Sequence, residues 1–251
     1  MKKKLPFIPD TMLADIIHAD YQLIPVIGRF GIEFGFGNKT VKEVCHEKGI
    51  NVLFVLDIIN SYHDDDYFPK ERLQQYPASL IIDYLSRTHN YYLSDKVPEI
   101  QDYIAEMELN VSLNNLKNIK LLDKFFADYI KELSRHLNYE DDVIFPYIKD
   151  LESSLNMKFV SNALIKKIKK EPIDQFEKNH DNIEVKLSDL KNLIIKFLPP
   201  VLCASTCQKL LIELFRLESD INNHSRIEEK VLIQKVKQLE KEILKQGETT
   251  T

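Results

Sequence analysis

The sequence predicts an all-α protein, an up-and-down four-helix bundle preceded by a small helical N-terminal domain. From Ala78 onward, apolar residues recur at the 3.6-residue period of helices, with no strand-like alternation. Four of these stretches are long, with breaks between them, as a bundle requires. Breakers are few: 6 glycines and 10 prolines in 251 residues, with no tryptophan.

The elements follow in order. Thr11 is placed to cap a helix running to about Ala19, and Tyr21 to Phe30 carries a second apolar stripe. Gly31, Gly35 and Gly37 then crowd one loop. Thr40-Val-Lys-Glu43 has capping-box spacing, and its helix is expected to stop near Gly49. Asn51 caps an apolar segment, Val52 to Ile59. The acidic run and two prolines of residues 64–77 read as a linker, which leaves 1–63 as the small domain.

The bundle is expected over 78–246. Its first helix keeps Leu80, Ile81, Tyr84, Leu85, Thr88 and His89 in rhythm. The second runs from about Ser112 to Asp150 and the third from about Asn162 to Phe197, ended by Pro199-Pro200. The fourth runs from about Leu202 to Gln246, and the tail 247–251 is expected to be disordered. Charged stretches such as Lys166 to Lys170 read as solvated faces.

Composition narrows the function classes. A net charge of -5 gives no basic face for nucleic acid. Lys2 to Lys4 are followed by no apolar stretch of signal-peptide length, and no run is long enough to span a membrane. Three cysteines, an odd number, argue against a disulfide framework and for a reducing compartment. The expectation is a cytoplasmic protein.

The chemistry lies in the histidines. His136-x-x-x-Glu140 recurs as His224-x-x-x-Glu228, and residues four apart lie one above the other on a helix face. His89, His136, His180 and His224 fall one to a helix, at nearly equal spacing within the two pairs His89/His180 and His136/His224. Any one alone is more simply a core or surface residue, but buried together such groups are costly unless something binds them. Four imidazoles, two carboxylates and no thiolate are too many ligands for one tetrahedral zinc and too nitrogen-rich for calcium or magnesium. They suit two six-coordinate first-row ions bridged by Glu140 and Glu228, with water, an oxo group or an exogenous ligand in the open positions. Iron is the first choice and manganese the second.

Other candidates have plainer readings. His18, His46 and His63 read as exposed polar residues. Cys203 and Cys207, four apart, can meet on one helix face, and small buried apolar residues describe them better than a redox pair. Asp141, Asp142 and Glu229 follow the bridging glutamates at positions that point away in a regular helix, so they are left out of the site.

Two stretches carry a family resemblance. His136 to Pro146, His-x-x-x-Glu followed by Val-Ile-Phe-Pro, resembles the second-helix signature of hemerythrin-like di-iron domains. Cys203-Ala-Ser-Thr through His224 and Glu228 resembles their last helix. Phe30-Gly-Ile-Glu-Phe-Gly-Phe-Gly-Asn-Lys-Thr, with Val-Cys45-His-Glu-Lys-Gly-Ile, is similar to the short ScdA-like N-terminal domain of the RIC family, the proteins for repair of iron centres.

The resemblance implies a di-iron centre, oxo- or hydroxo-bridged, held by His89, His136, Glu140, His180, His224 and Glu228. It further implies a homodimer that restores iron-sulfur clusters damaged by nitric oxide or peroxide, with iron-sulfur proteins as clients and nitric oxide or oxygen as small ligands. Two departures stand out. Where the family carries an adjacent cysteine pair, this chain has Gly35 and Phe36, so thiol chemistry there is not carried over. After the last glutamate, Phe-Pro has become Ile233-Gln234, which changes packing more than ligation. The competing readings are an oxygen, nitric oxide or iron sensor signalling to a protein partner, a nitric oxide reductase, and a metal-free helical protein.

Overall fold

The computed structural model describes residues 6–110, 115–178, 183–198 and 204–249, and these are helical nearly throughout. The leading helices are α1 (Leu13–Ala19), α2 (Leu23–Gly28), α3 (Val41–Lys48) and α4 (Val52–His63). The capping box at α3 is complete: Glu43 N–H donates to Thr40 Oγ1, and Thr40 N–H donates to Glu43 Oε2 at 2.8 Å. Gly49, at φ 66°, ends that helix in the left-handed conformation that costs glycine least. Asn51 Oδ1 accepts from Phe54 N–H at 3.0 Å and opens α4.

Residues 64–77, expected as a linker, carry a one-turn helix α5 (Lys70–Leu73) and are tied down. Leu73 is fully buried. The buried Asp57 carboxylate of α4 accepts from Arg72 Nε at 2.7 Å, Tyr76 OH at 2.9 Å and Tyr67 OH at 3.2 Å. A buried carboxylate demands donors of this kind, and here the connecting segment supplies them.

The bundle follows. Its first helix is α6 (Ala78–Tyr91), a π-helical turn π1 (Tyr92–Lys96) and α7 (Val97–Leu109). Its second is α8 (Leu116–Tyr139), π2 (Glu140–Ile144) and α9 (Phe145–Asn156). Then come α10 (Asn162–Lys170), α11 (Ile173–Lys178) and α12 (Ile183–Phe197). The last helix is α13 (Ala204–Ile227), π3 (Glu228–Leu232) and α14 (Ile233–Thr249). Helix α7 packs on α8, α8 on α12, α12 on α13 and α13 on α7, a closed ring of four. Pro77 leaves α6 without a side-chain cap, and the Glu152 carboxylate of α9 accepts from the Ala78 and Ser79 N–H groups instead.

Two boundaries differ from expectation. The third segment is interrupted at Pro172, whose missing N–H and ring disfavour a continuous helix. The tail is helical through Thr249 and packs on α10, where Gly247 lies so close to Ile165 that a Cβ there would stand 2.6 Å from Ile165 Cδ1.

The apolar interior falls into two clusters. One joins the leading helices, from Leu13 to Ile59, to the near end of the bundle through Ile81, Leu85, Ile148, Val231 and Val236. The other fills the far end with Tyr92, Ile100, Phe126, Leu133, Leu187, Leu214 and Ile221. Along each of three helices the switch between clusters falls at a polar ligand candidate: His89 between Leu85 and Tyr92, Glu140 between Leu137 and Ile144, and His224 between Ile221 and Ile227. A buried polar layer therefore crosses the bundle between two apolar halves.

Candidate metal centre

Each of the three described helices that carry this layer contains a π turn beside its ligand candidates. Glu140 opens π2, Glu228 opens π3, and π1 begins three residues after His89. In each turn an N–H bonds the carbonyl five residues back: Val97 to Tyr92, Phe145 to Glu140 and Ile233 to Glu228. One residue too many is packed into each turn, which aims side chains where a regular helix would not, and such turns concentrate at functional sites.

The side chains converge. His89, Glu140 and His224 offer one ligand atom each, all within 4.8 Å of one another, and His136, Glu140 and Glu228 form a second such group. Glu140 belongs to both. Its Oε2 stands 3.2 Å from His89 Nε2 and its Oε1 stands 2.8 Å from His136 Nε2. The Nε2 atoms of His89 and His224 are 3.3 Å apart, and His224 Nε2 is 3.9 Å from Glu228 Oε2. Glu140 is fully buried, and His89, His224 and Glu228 nearly so.

The surroundings fix His89 firmly. Its Nδ1 meets Asp141 Oδ2 at 2.9 Å, and Asp141 Oδ1 accepts from Ser86 Oγ at 2.8 Å. Its ring stacks on Phe145 at 5.4 Å between centroids. Burial works against charging His89, but the Asp141 and Glu140 carboxylates outweigh it and push its pKa up to about 9. His224 behaves oppositely. Burial first, and then the charge on His89, hold it well below the usual imidazole range. Its Nδ1 is buried without a hydrogen-bond partner among the described residues.

Three imidazoles and two carboxylates in two overlapping groups, with no thiolate, form a donor set suited to first-row cations. Residues 80–236 match the family described as the Hemerythrin HHE cation binding domain. The chain belongs to that family. It is also similar to the iron-sulfur cluster repair protein ScdA of Staphylococcus haemolyticus (strain JCSC1435), at 20% identity over 90% of this chain and 97% of that protein. No helix of the described residues is long and apolar enough to cross a membrane.

Within this HHE domain the structure brings together five of the six expected ligands, His89, His136, Glu140, His224 and Glu228. His180 lies outside the described residues. Glu228 stands in one of the two groups rather than both. Asp141, the second residue of π2, was expected to point away and instead supports His89 on the facing helix. His63 was expected to be exposed. It is buried, with Nδ1 2.8 Å from Asp20 Oδ2 and its ring 4.6 Å from that of Phe7. His18 and His46 are exposed as expected.

The cysteines are quiet. Cys45 is fully buried, which pushes its thiol up to about 11, and Cys207 is also raised by burial. Cys203 lies outside the described residues. In the glycine loop Gly35 has φ 92°, a conformation that a cysteine side chain disfavours. The loop backbone itself is therefore built for glycine at one of the two positions where the resemblance leads one to expect a cysteine pair.

Proposed function

We propose that this protein repairs iron-sulfur clusters damaged by nitrosative or oxidative stress, using two iron ions held by His89, His136, Glu140, His180, His224 and Glu228. The observation that supports it best is the buried Glu140 carboxylate shared between two donor groups, the arrangement a bridging ligand needs. Similarity to an iron-sulfur cluster repair protein over nearly the whole chain supports the client class. When bound, iron supplies open coordination positions for nitric oxide or oxygen and a source of metal for a damaged cluster. The chain's part is to exclude water, to hold His89 by Asp141, and to let Glu140 shift between its two groups. Manganese is the second choice of metal.

Anaerobic ferrous loading tests the centre: two irons per chain are expected in the wild type, and Glu140→Ala should hold fewer. An iron-sulfur enzyme inactivated by nitric oxide and then incubated with the loaded protein tests the repair. Loading well below two irons, or no recovery beyond that given by free ferrous ion, sinks the reading. A second reading, a gas or iron sensor signalling to a protein partner, is favoured by the cross-domain contact that Arg29 makes with Asp220 on α13. Gas-dependent partner binding without repair would select it.

A further inference from the structure

The leading helices send one charged side chain into the bundle. Arg29, just past α2, is almost fully buried, and its guanidinium grips both carboxylate oxygens of Asp220 on α13, with Nη1 to Oδ1 at 2.9 Å. The same Oδ1 accepts from Tyr92 OH at 2.8 Å and from Tyr62 OH at 3.3 Å. Arg29 also reaches Tyr84 OH at 3.4 Å and lies over the Tyr91 ring at 4.6 Å. Two residues of the leading unit, Arg29 and Tyr62, thus meet four of the bundle, Tyr84, Tyr91, Tyr92 and Asp220, around one ion pair.

The pair lies against the metal layer. Asp220, His224 and Glu228 follow at four-residue intervals, so they share one face of the last helix. Tyr92, which Asp220 holds by its hydroxyl, sets its ring edge-on to His224 at 6.0 Å between centroids. His224 has no partner of its own at Nδ1 among the described residues, in contrast to His89 with Asp141. Beyond its Nε2 contact with His89, packing orients the His224 ring, and Tyr92 is part of that packing. A half-buried carboxylate beside this layer is costly once its counter-charge is removed. That counter-charge comes from outside the bundle.

We infer that Arg29 is a positioning residue of the metal centre: by neutralising and fixing Asp220 it holds Tyr92 against His224, so the leading unit completes the wall of the site. This rests on the reading of the layer as a metal centre. It assigns the leading unit a task that needs no cysteine pair. Ligand-supporting contacts of this kind change metal affinity by roughly 10–100-fold when broken.

The test uses the full chain and cobalt(II) alone, whose visible ligand-field bands report the coordination directly. In Arg29→Ala the bands should shift, and a chelator should strip cobalt on the order of 10-fold faster. Adding Asp220→Asn to Arg29→Ala removes the stranded charge and should bring both readouts back toward wild type. Thr40→Ala weakens the leading unit at the start of α3, a helix that packs on α4, and should move neither. Arg29→Lys, which keeps the charge but loses the two-point grip, serves if Arg29→Ala does not fold, and should shift the bands in the same direction by less. Bands and stripping rate unchanged in the Arg29 variants, or moved equally by Thr40→Ala, overturn the inference alone. Wild-type protein that takes up no cobalt sinks the metal reading itself, and this inference with it.

Discussion

Asp141 follows Glu140 directly, and in a regular helix its side chain would turn about 100° away from that of Glu140. It nevertheless reaches His89 at 2.9 Å from within the π turn that Glu140 opens. A carboxylate on the far nitrogen of a metal-binding imidazole fixes the ring and raises its basicity. Asp141→Ala is therefore expected to weaken metal binding by roughly 10–100-fold at little cost to folding. A competition titration against a chelator of known affinity, beside a thermal melt, checks this, and an affinity unchanged from wild type would rule the support out. The converging His/Glu pairs themselves were legible, because His136/Glu140 and His224/Glu228 keep helical i,i+4 spacing. Their supports were not, because π turns leave no mark in apolar periodicity. Cys45 carries a prediction at the same scale. With its thiol pushed up to about 11 and no exposed surface, only about one thiol in a thousand is ionised at pH 8, and reagent cannot reach it. Alkylation of the folded protein at pH 8 should leave the Cys45 peptide unmodified by mass spectrometry. Rapid labelling there would contradict the burial.

At the scale of elements, capping explains why the leading helices were easily read. Thr40, Glu43, Gly49 and Asn51 each carry out a backbone task that their residue type advertises. Thr40→Ala removes the acceptor at the start of α3 and is expected to cost about 1 kcal/mol in urea unfolding, with metal content unchanged. The segment 64–77 was harder to read. Its prolines and acidic run look like a linker, while its order comes from a partner on the preceding helix, the Asp57 carboxylate buried in α4. Arg72→Ala leaves that carboxylate with only its two tyrosine donors. Arg72 is itself about half exposed, so we expect a loss of about 2 kcal/mol rather than the full penalty of a stranded buried charge. Equilibrium denaturation measures it, and a loss near zero would mean the tyrosines alone suffice. Pro172 was visible in the sequence as well, but the apolar rhythm on either side of it masked the break between α10 and α11.

Across the whole molecule, the apolar cluster that begins in the leading helices continues into the near end of the bundle, so the two parts share an interior. Apolar periodicity predicts four helices and a leading unit, but it does not say which faces meet, since every amphipathic helix offers the same kind of stripe. The polar layer divides this interior from the far cluster, and without a cation it holds buried carboxylates and imidazoles close together. Such a layer is the weakest part of a metal-free fold, because desolvated charge is costly there. A cation that binds only the folded chain shifts the folding equilibrium by about 4 kcal/mol when its free concentration is roughly 1,000 times Kd. For a chain of this size that corresponds to a rise in Tm on the order of 10 °C. Calorimetry of chelator-treated and ferrous-loaded protein should show this rise. Because one cluster spans both parts, the leading unit and the bundle should melt in a single transition that moves as a whole. A Tm indifferent to iron would mean that the layer is stable without a cation. Two transitions, with only the later one moved by metal, would mean that the leading unit folds and unfolds without reference to the bundle.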